Sequence, residues 1–452
     1  LEGARRDAAD RRELRTELLR LLDQIILEKS ARGRQAHVAE YVVPIAKSCL
    51  RVFFVETSSK VREESIKTLL AALELKDHVP HLEELRQLLF PPRDQADSQR
   101  NPSAVQLFWR HFSSTAKTAT GTSETVRGGC LRLLGRLAVL FPVQVSDDPI
   151  YETGSLYRGC EAALTRQGVG APEMVGALEG FDGLLSDASG FSATQVRDVF
   201  GFALARLSLE TSSGDDLKRF GMPKAALILL GGNLSQFAAL PGTPLGASAT
   251  GDTDGARLRL SLLLHHGQAL WSNLTPLWQH RNAELSGLTD EVLRAICALA
   301  SQQIAEGASC VTPADADVRE RAMGAYSFFY AKIRELISNA AVDAAKRSTE
   351  ATAKMATAVH LLGSFARPVA QLGGVDDVAQ HLDALCEYAA SYLQPTQVRY
   401  YEGGRRGADS VVRHIPPFLH AFAEMLAVLP TAPERALSTL SSLMLIIFSR
   451  ID

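Results

Sequence analysis

Phosphate chemistry needs glycine loops whose backbone N–H groups can close on an anion, and these 452 residues offer only fragments of one. Gly168-Val-Gly170 lacks a third glycine and a preceding strand, and no GxxxxGK(S/T) run occurs. Gly246-Ala-Ser248-Ala-Thr250-Gly251 misses the spacing of a nucleophile elbow by one residue and has the composition of a loop. Asp252-Thr-Asp254-Gly255 opens like a calcium loop, but its glycine comes fourth rather than sixth and no glutamate closes it. His265-His266 is the one adjacent histidine pair. On a helix such neighbours diverge by roughly 100°, so they cannot chelate a metal as an i, i+4 pair does. His360, His381, His414 and His420 read as isolated helical residues. With no converging acid, base and nucleophile, we expect no catalytic centre, no cofactor and no metal within these residues.

Cationic chemistry is the alternative. The first twenty residues hold six arginines against five acids, with Glu2/Arg6 and Asp7/Arg11 at i, i+4 spacing, which reads as a self-compensated, solvated helix. Lys218-Arg219 falls between two helices, and Arg405-Arg406 sits in Gly403-Gly404-Arg405-Arg406-Gly407 just after Tyr400-Tyr401. Glycine loops let guanidinium groups reach an approaching polyanion, so these four residues are candidate phosphate-backbone contacts. Lys117, in the loop at Ser113–Thr125, is a fifth. The whole chain carries a formal net charge of -3. An anionic partner would therefore have to use a local patch.

The elements that would carry these side chains are helices. Val38, Tyr41, Val42, Ile45, Cys49 and Phe53 fall on one face at three- and four-residue spacing, and Val61, Ile66, Leu69, Leu70 and Leu73 follow behind Ser58 and Ser59, either of which can cap. The same reading gives helices near 78–90, 103–118, 122–141, 149–167, 171–188, 191–210, 219–239 and 256–280. Further ones fall near 286–306, 314–340, 350–372, 375–393, 406–429 and 432–450. No six-residue alternation flanked by hairpin turns argues for a strand. Helix pairs recur about every 40–55 residues, the period of HEAT and armadillo units, in which stacking buries what one pair leaves apolar. The expected fold is all-α: an α-solenoid of HEAT-like antiparallel helix pairs forming a superhelical arm. A charged N-terminal helix over 1–35 would lead into a first block over 36–240. A flexible insertion over 241–255 and a second block over 256–452 would follow.

No apolar run approaches the ~20 residues that span a bilayer. Cys49, Cys130, Cys160, Cys297, Cys310 and Cys386 are widely spaced without a CxxC pair, which fits buried thiols in a reducing compartment. A first residue other than Met and an apolar last helix suggest a piece of a longer chain.

Particular phrases then become informative. Leu134-Gly135-Arg136-Leu137 running to Pro142, Met174–Leu185, Asp216–Ala226 with Asn233–Phe237 behind it, Val318–Ile337, and His414-Ile415-Pro416-Pro417-Phe418-Leu419 occur in one order. In that order and spacing, over roughly 25–452, the chain resembles the amino-terminal HEAT region of the DNA-dependent protein kinase catalytic subunits, within the phosphatidylinositol 3-kinase-related kinases. The resemblance implies a scaffold fragment of a nuclear Ser/Thr kinase. It would contact double-stranded DNA ends and the Ku heterodimer in double-strand break repair by non-homologous end joining. It would also pack on other HEAT and kinase regions of its own chain, away from any membrane. ATP and Mg would belong to the kinase head of such a parent. The family's lysine cluster after the helix at 103–115 is reduced here to Lys117. The alternative is a general protein-interaction solenoid of transport or coat type without nucleic acid.

Overall fold

The computed structural model describes residues 2–31, 35–80, 82–91, 103–113, 124–146, 148–152, 154–186, 191–208, 217–240, 262–280, 282–308, 331–333, 335, 349–371, 374–392 and 415–448. Among them every regular element is a helix and none is long and apolar enough to cross a membrane. The chain is all-α. It divides into two compact units, Leu1–Asn233 and Leu234–Asp452. The insertion expected at 241–255 lies outside the described residues, as do most of the helices expected at 314–340 and the start of that at 406–429.

The first unit runs α1 (Glu2–Ala31), α2 (Gln35–Ala39), α3 (Val42–Val55), α4 (Ser59–Leu73), α5 (Leu82–Leu89), α6 (Ala104–Ser113) and α7 (Glu124–Leu140). The short α8 (Pro142–Ser146) and α9 (Pro149–Glu152) lead to α10 (Ser155–Thr165), α11 (Ala171–Leu185), α12 (Ala193–Arg206) and α13 (Met222–Gly232). The expected helix at 149–167 is broken because Gly154 takes φ +66, a left-handed conformation that ends α9 and starts α10. Ser192 and Gln195 form a reciprocal capping box that fixes the start of α12. At α4 the expected Ser58 cap makes no side-chain hydrogen bond. Glu56 instead holds the turn before the helix, its Oε1 accepting from the N–H groups of Thr57 and Ser58.

Helices pair as antiparallel hairpins: α3 with α4, α6 with α7, α10 with α11, α12 with α13. The second helices of the pairs stack on one another. Leu19, Glu56 and Glu64 mark α1 against α4: Thr68 donates to the Leu19 carbonyl at 3.1 Å, and Arg15 and Arg20 reach Glu56 and Glu64 at 2.6 and 3.4 Å. Between α4 and α7, Ile66 lies against Gly129 and Glu74 against Arg136. Between α7 and α11, Gly128 meets Gly176 and Gly135 meets Gly183. Residue numbers rise together across each contact, so α1, α4, α7 and α11 run parallel in one row, with α13 packed on α11. That arrangement is the one expected of stacked helix pairs. The arginine-rich α1, read from sequence as solvated, is docked in this row by Leu19 and Ile26, both buried, and by its ion pairs.

The second unit runs α14 (Leu234–Ala239), α15 (Leu262–His265), α16 (Gly267–Trp278), α17 (Ala283–Ala308), α18 (Thr349–Ser364), α19 (Ala366–Gln371), α20 (Val375–Tyr392), α21 (Ile415–Leu426) and α22 (Glu434–Phe448). α16 and α17 form a hairpin closed by Trp278, whose Nε1 donates to Asp290 and whose carbonyl accepts from Ser286. Arg294 donates to Thr357 at 2.9 Å, and two turns on Ser301 donates to the Ser364 carbonyl, so α17 and α18 are parallel. His360/His420 and Gly363/Ala421 set α18 parallel to α21 in the same way.

Candidate interaction face

Small residues decide how closely the row in the first unit stacks. On α7, Gly128 and Gly135 are two turns apart; on α11, Gly176, Gly180 and Gly183 face them. A Cβ at Gly176 would lie 2.1 Å from the Gly128 carbonyl oxygen, and one at Gly183 would lie 2.1 Å from that of Gly135. Backbone therefore rests on backbone along this seam, and no other residue type fits without moving a helix.

Two successive pairs share a second device. At the start of α4, Arg62 donates through Nε to the Phe53 carbonyl at the end of α3 and lies over the Phe53 ring. At the start of α7, Arg127 donates to the Phe112 carbonyl at the end of α6 at 2.8 Å and lies over the Phe112 ring, 4.8 Å from its centre. Each arginine satisfies a last-turn carbonyl of one helix while its cationic plane covers an aromatic face. Arg127 also grips Glu173 of α11 with two hydrogen bonds, at 2.8 and 2.9 Å. Glu173 is only 3% exposed. Its hydrogen bonds raise the Arg127 pKa further, against the opposing effect of burial. The sequence signal was present: Val61-Arg62 stands three residues behind Ser58 and Val126-Arg127 three behind Ser123, and both valines are buried.

What the row shows to solvent is charge in alternating columns. Glu63 and Lys67 stand on α4 with Glu74 at its C-terminal end, Arg132 and Arg136 on α7, Glu179 and Asp182 on α11, and Lys224 on α13. Pairs cross the columns: Glu74 accepts from Nε and Nη2 of Arg136, both at 2.6 Å, Glu179 lies 3.5 Å from Arg132, and Asp182 accepts from Asn233 at 2.9 Å. Burial pushes the Glu179 and Asp182 carboxyls above the usual range; Arg132 and Lys224 pull the first back, and Asn233 and Arg136 the second. Such a face is locally neutralised. Arg132 and Arg136 are held by carboxylates across the columns and Lys67 by Glu63 and Glu64 of its own helix, so the four cations and four acids of the face give little net attraction for a polyanion.

Of the five predicted phosphate contacts, Lys117, Arg405 and Arg406 lie outside the described residues. Lys218 and Arg219 occupy a π-helical turn, Leu217–Gly221, that runs directly into α13. Arg219 is half-buried and lies 5.0 Å from the centre of the Phe220 ring. The structure brings together a pair that the sequence reading left apart: the imidazoles of His360 and His420 stack at 4.8 Å between α18 and α21. His265 and His266 meet edge to face, 4.9 Å apart. Among the described residues no three histidine, cysteine or acidic side chains converge in a metal-binding group. Cys49, Cys130, Cys160, Cys297 and Cys386 are free and buried, and burial pushes the Cys49, Cys130 and Cys297 thiols up to about 12. These are packing residues; Cys310 lies outside the described ones.

No known protein-family model matches the chain, and a search of curated proteins returns no match.

Proposed function

We propose that this chain is a helical-repeat scaffold whose work is contact with large partners, the arm of a nuclear DNA-dependent Ser/Thr kinase that engages double-stranded DNA ends and Ku in end joining. The observation that supports a scaffold is the row of parallel helices in the first unit, stacked so closely that its function must lie on edges and loops. The kinase reading rests on the five ordered phrases. Two of them, Leu134–Pro142 and Met174–Leu185, supply the two sides of the glycine seam, so what they support most directly is a shared manner of stacking.

Because the cations on the row are neutralised by neighbouring carboxylates, phosphate contact falls to Lys117, Lys218, Arg219, Arg405 and Arg406. A few such contacts predict a log–log salt slope of about −2 to −4 for duplex binding. Titrating labelled blunt duplex at several salt concentrations measures it, and replacing Lys117, Arg405 and Arg406 by alanine should flatten the slope. If no duplex binds even at low salt, DNA is not a direct partner of these residues. The neutralised row favours the second reading in that event: a scaffold for proteins alone.

A further inference from the structure

Between Leu14 and Ile25 the face of α1 turned away from α4 is apolar. Leu14, Leu18, Leu21 and Ile25 are 60, 52, 52 and 40% exposed. Their spacing of four, three and four residues is that of a coiled-coil seam. It is separate from the face that docks α1 in its own unit, where Leu19 and Ile26 are buried and Arg15 and Arg20 reach Glu56 and Glu64. The seam continues by one step at each end into an exposed charged residue: Arg11 precedes Leu14 by three, and Glu28 follows Ile25 by three. Both also interact within their own chain.

We propose that this stripe is a self-association surface, on which α1 of a second copy lies antiparallel. The charge pattern selects both occupant and direction. About a two-fold axis between Leu18 and Leu21, Leu14 faces Ile25 of the copy, Leu18 faces Leu21, and Arg11 faces Glu28, so each end of the apolar seam closes on an opposite charge. A parallel copy would set Arg11 against Arg11 and Glu28 against Glu28, and like charges brought face to face disfavour that arrangement. The exposed ion pairs add little strength and act mainly on direction. Four apolar side chains per helix make a short seam, so the association is weak and concentration-dependent.

Sedimentation equilibrium of the 452-residue chain from low to high micromolar concentration tests the proposal, with thermal unfolding as a control. The expected result is a monomer–dimer equilibrium. Leu18→Asp with Leu21→Asp should abolish it and leave the unfolding midpoint unchanged, since neither side chain is in the packed face. Arg11→Glu or Glu28→Arg alone should weaken the dimer by about tenfold, and the two together should restore it, because the swap re-creates opposite charges only in the antiparallel pair. A chain that stays monomeric throughout overturns the proposal, as does a dimer indifferent to the aspartates or one that the double swap fails to restore. None of these outcomes depends on whether DNA binds.

Discussion

The two units solve one problem, how closely parallel helices can stack, with different residues. In the first, five glycines on α7 and α11 bring backbone onto backbone, and an arginine clamp ties together two of the pairs, α3 with α4 and α6 with α7. In the second, α18 meets α21 with one glycine, Gly363, packed on Ala421 and two stacked imidazoles one turn away. The glycine seam has no freedom to adjust, because what a substitution would strike is carbonyl oxygen. The α18–α21 contact is tight at one glycine, where a Cβ would meet the Cα and Cβ of Ala421 at 2.7 and 2.9 Å. The first unit should therefore be the stiffer and the less tolerant of change at its seam.

The sharpest way to break this contrast is Arg127→Ala. It leaves Glu173 charged and buried with only Arg166 near, 3.8 Å away, and should cost about 3–5 kcal/mol in chemical unfolding of the first unit. Next comes the glycine comparison. Gly176→Ala forces a methyl to 2.1 Å from a carbonyl oxygen and should cost about 3 kcal/mol, whereas Gly363→Ala, meeting the Ala421 Cα at 2.7 Å, overlaps less and should cost about 2 kcal/mol. Equal losses in the two would show that the seams are alike.

The third effect is smaller and belongs to the second unit. Burial, His420 and Arg294 lower the His360 pKa below 6.5, with Asp290 opposing them. The facing groups are His420 on α21 and the Arg294–Asp290 pair on α17. As pH falls through 6.5 the unfolded chain takes up a proton that the folded one resists, so stability declines with acidification until pH drops below the folded pKa. Unfolding midpoints between pH 8 and 5 should show this decline, and His360→Gln should reduce it.

Much of this architecture was legible in the sequence, and for a physical reason. Apolar residues at three- and four-residue spacing report burial directly, so α3, α4, α7, α11 and α12 appear close to where they were expected. The breaks at Gly154, Asn233 and Phe365 were not read, because a helix that kinks and resumes keeps its apolar period. Asn233 ends α13 by turning its amide to the Leu229 carbonyl and Asp182, a tertiary contact with no local sequence mark. The same limit hid the candidate face. Gly128, Gly135, Gly176 and Gly183 each look like a weak point in a helix, and only the forty-eight-residue offset between α7 and α11 turns them into a seam. His360 and His420, sixty residues apart, were taken singly for the same cause.

Native-state hydrogen exchange of α7 and α11 tests the central claim, that backbone contact between parallel helices holds the first unit as one body. The amides of 128–140 and 176–185 should be the slowest in the unit, exchange with one common opening free energy, and lose protection together in Gly176→Ala. If α7 and α11 open independently, or if the variant leaves α7 protected, the two helices are neighbours only and the account of the row fails.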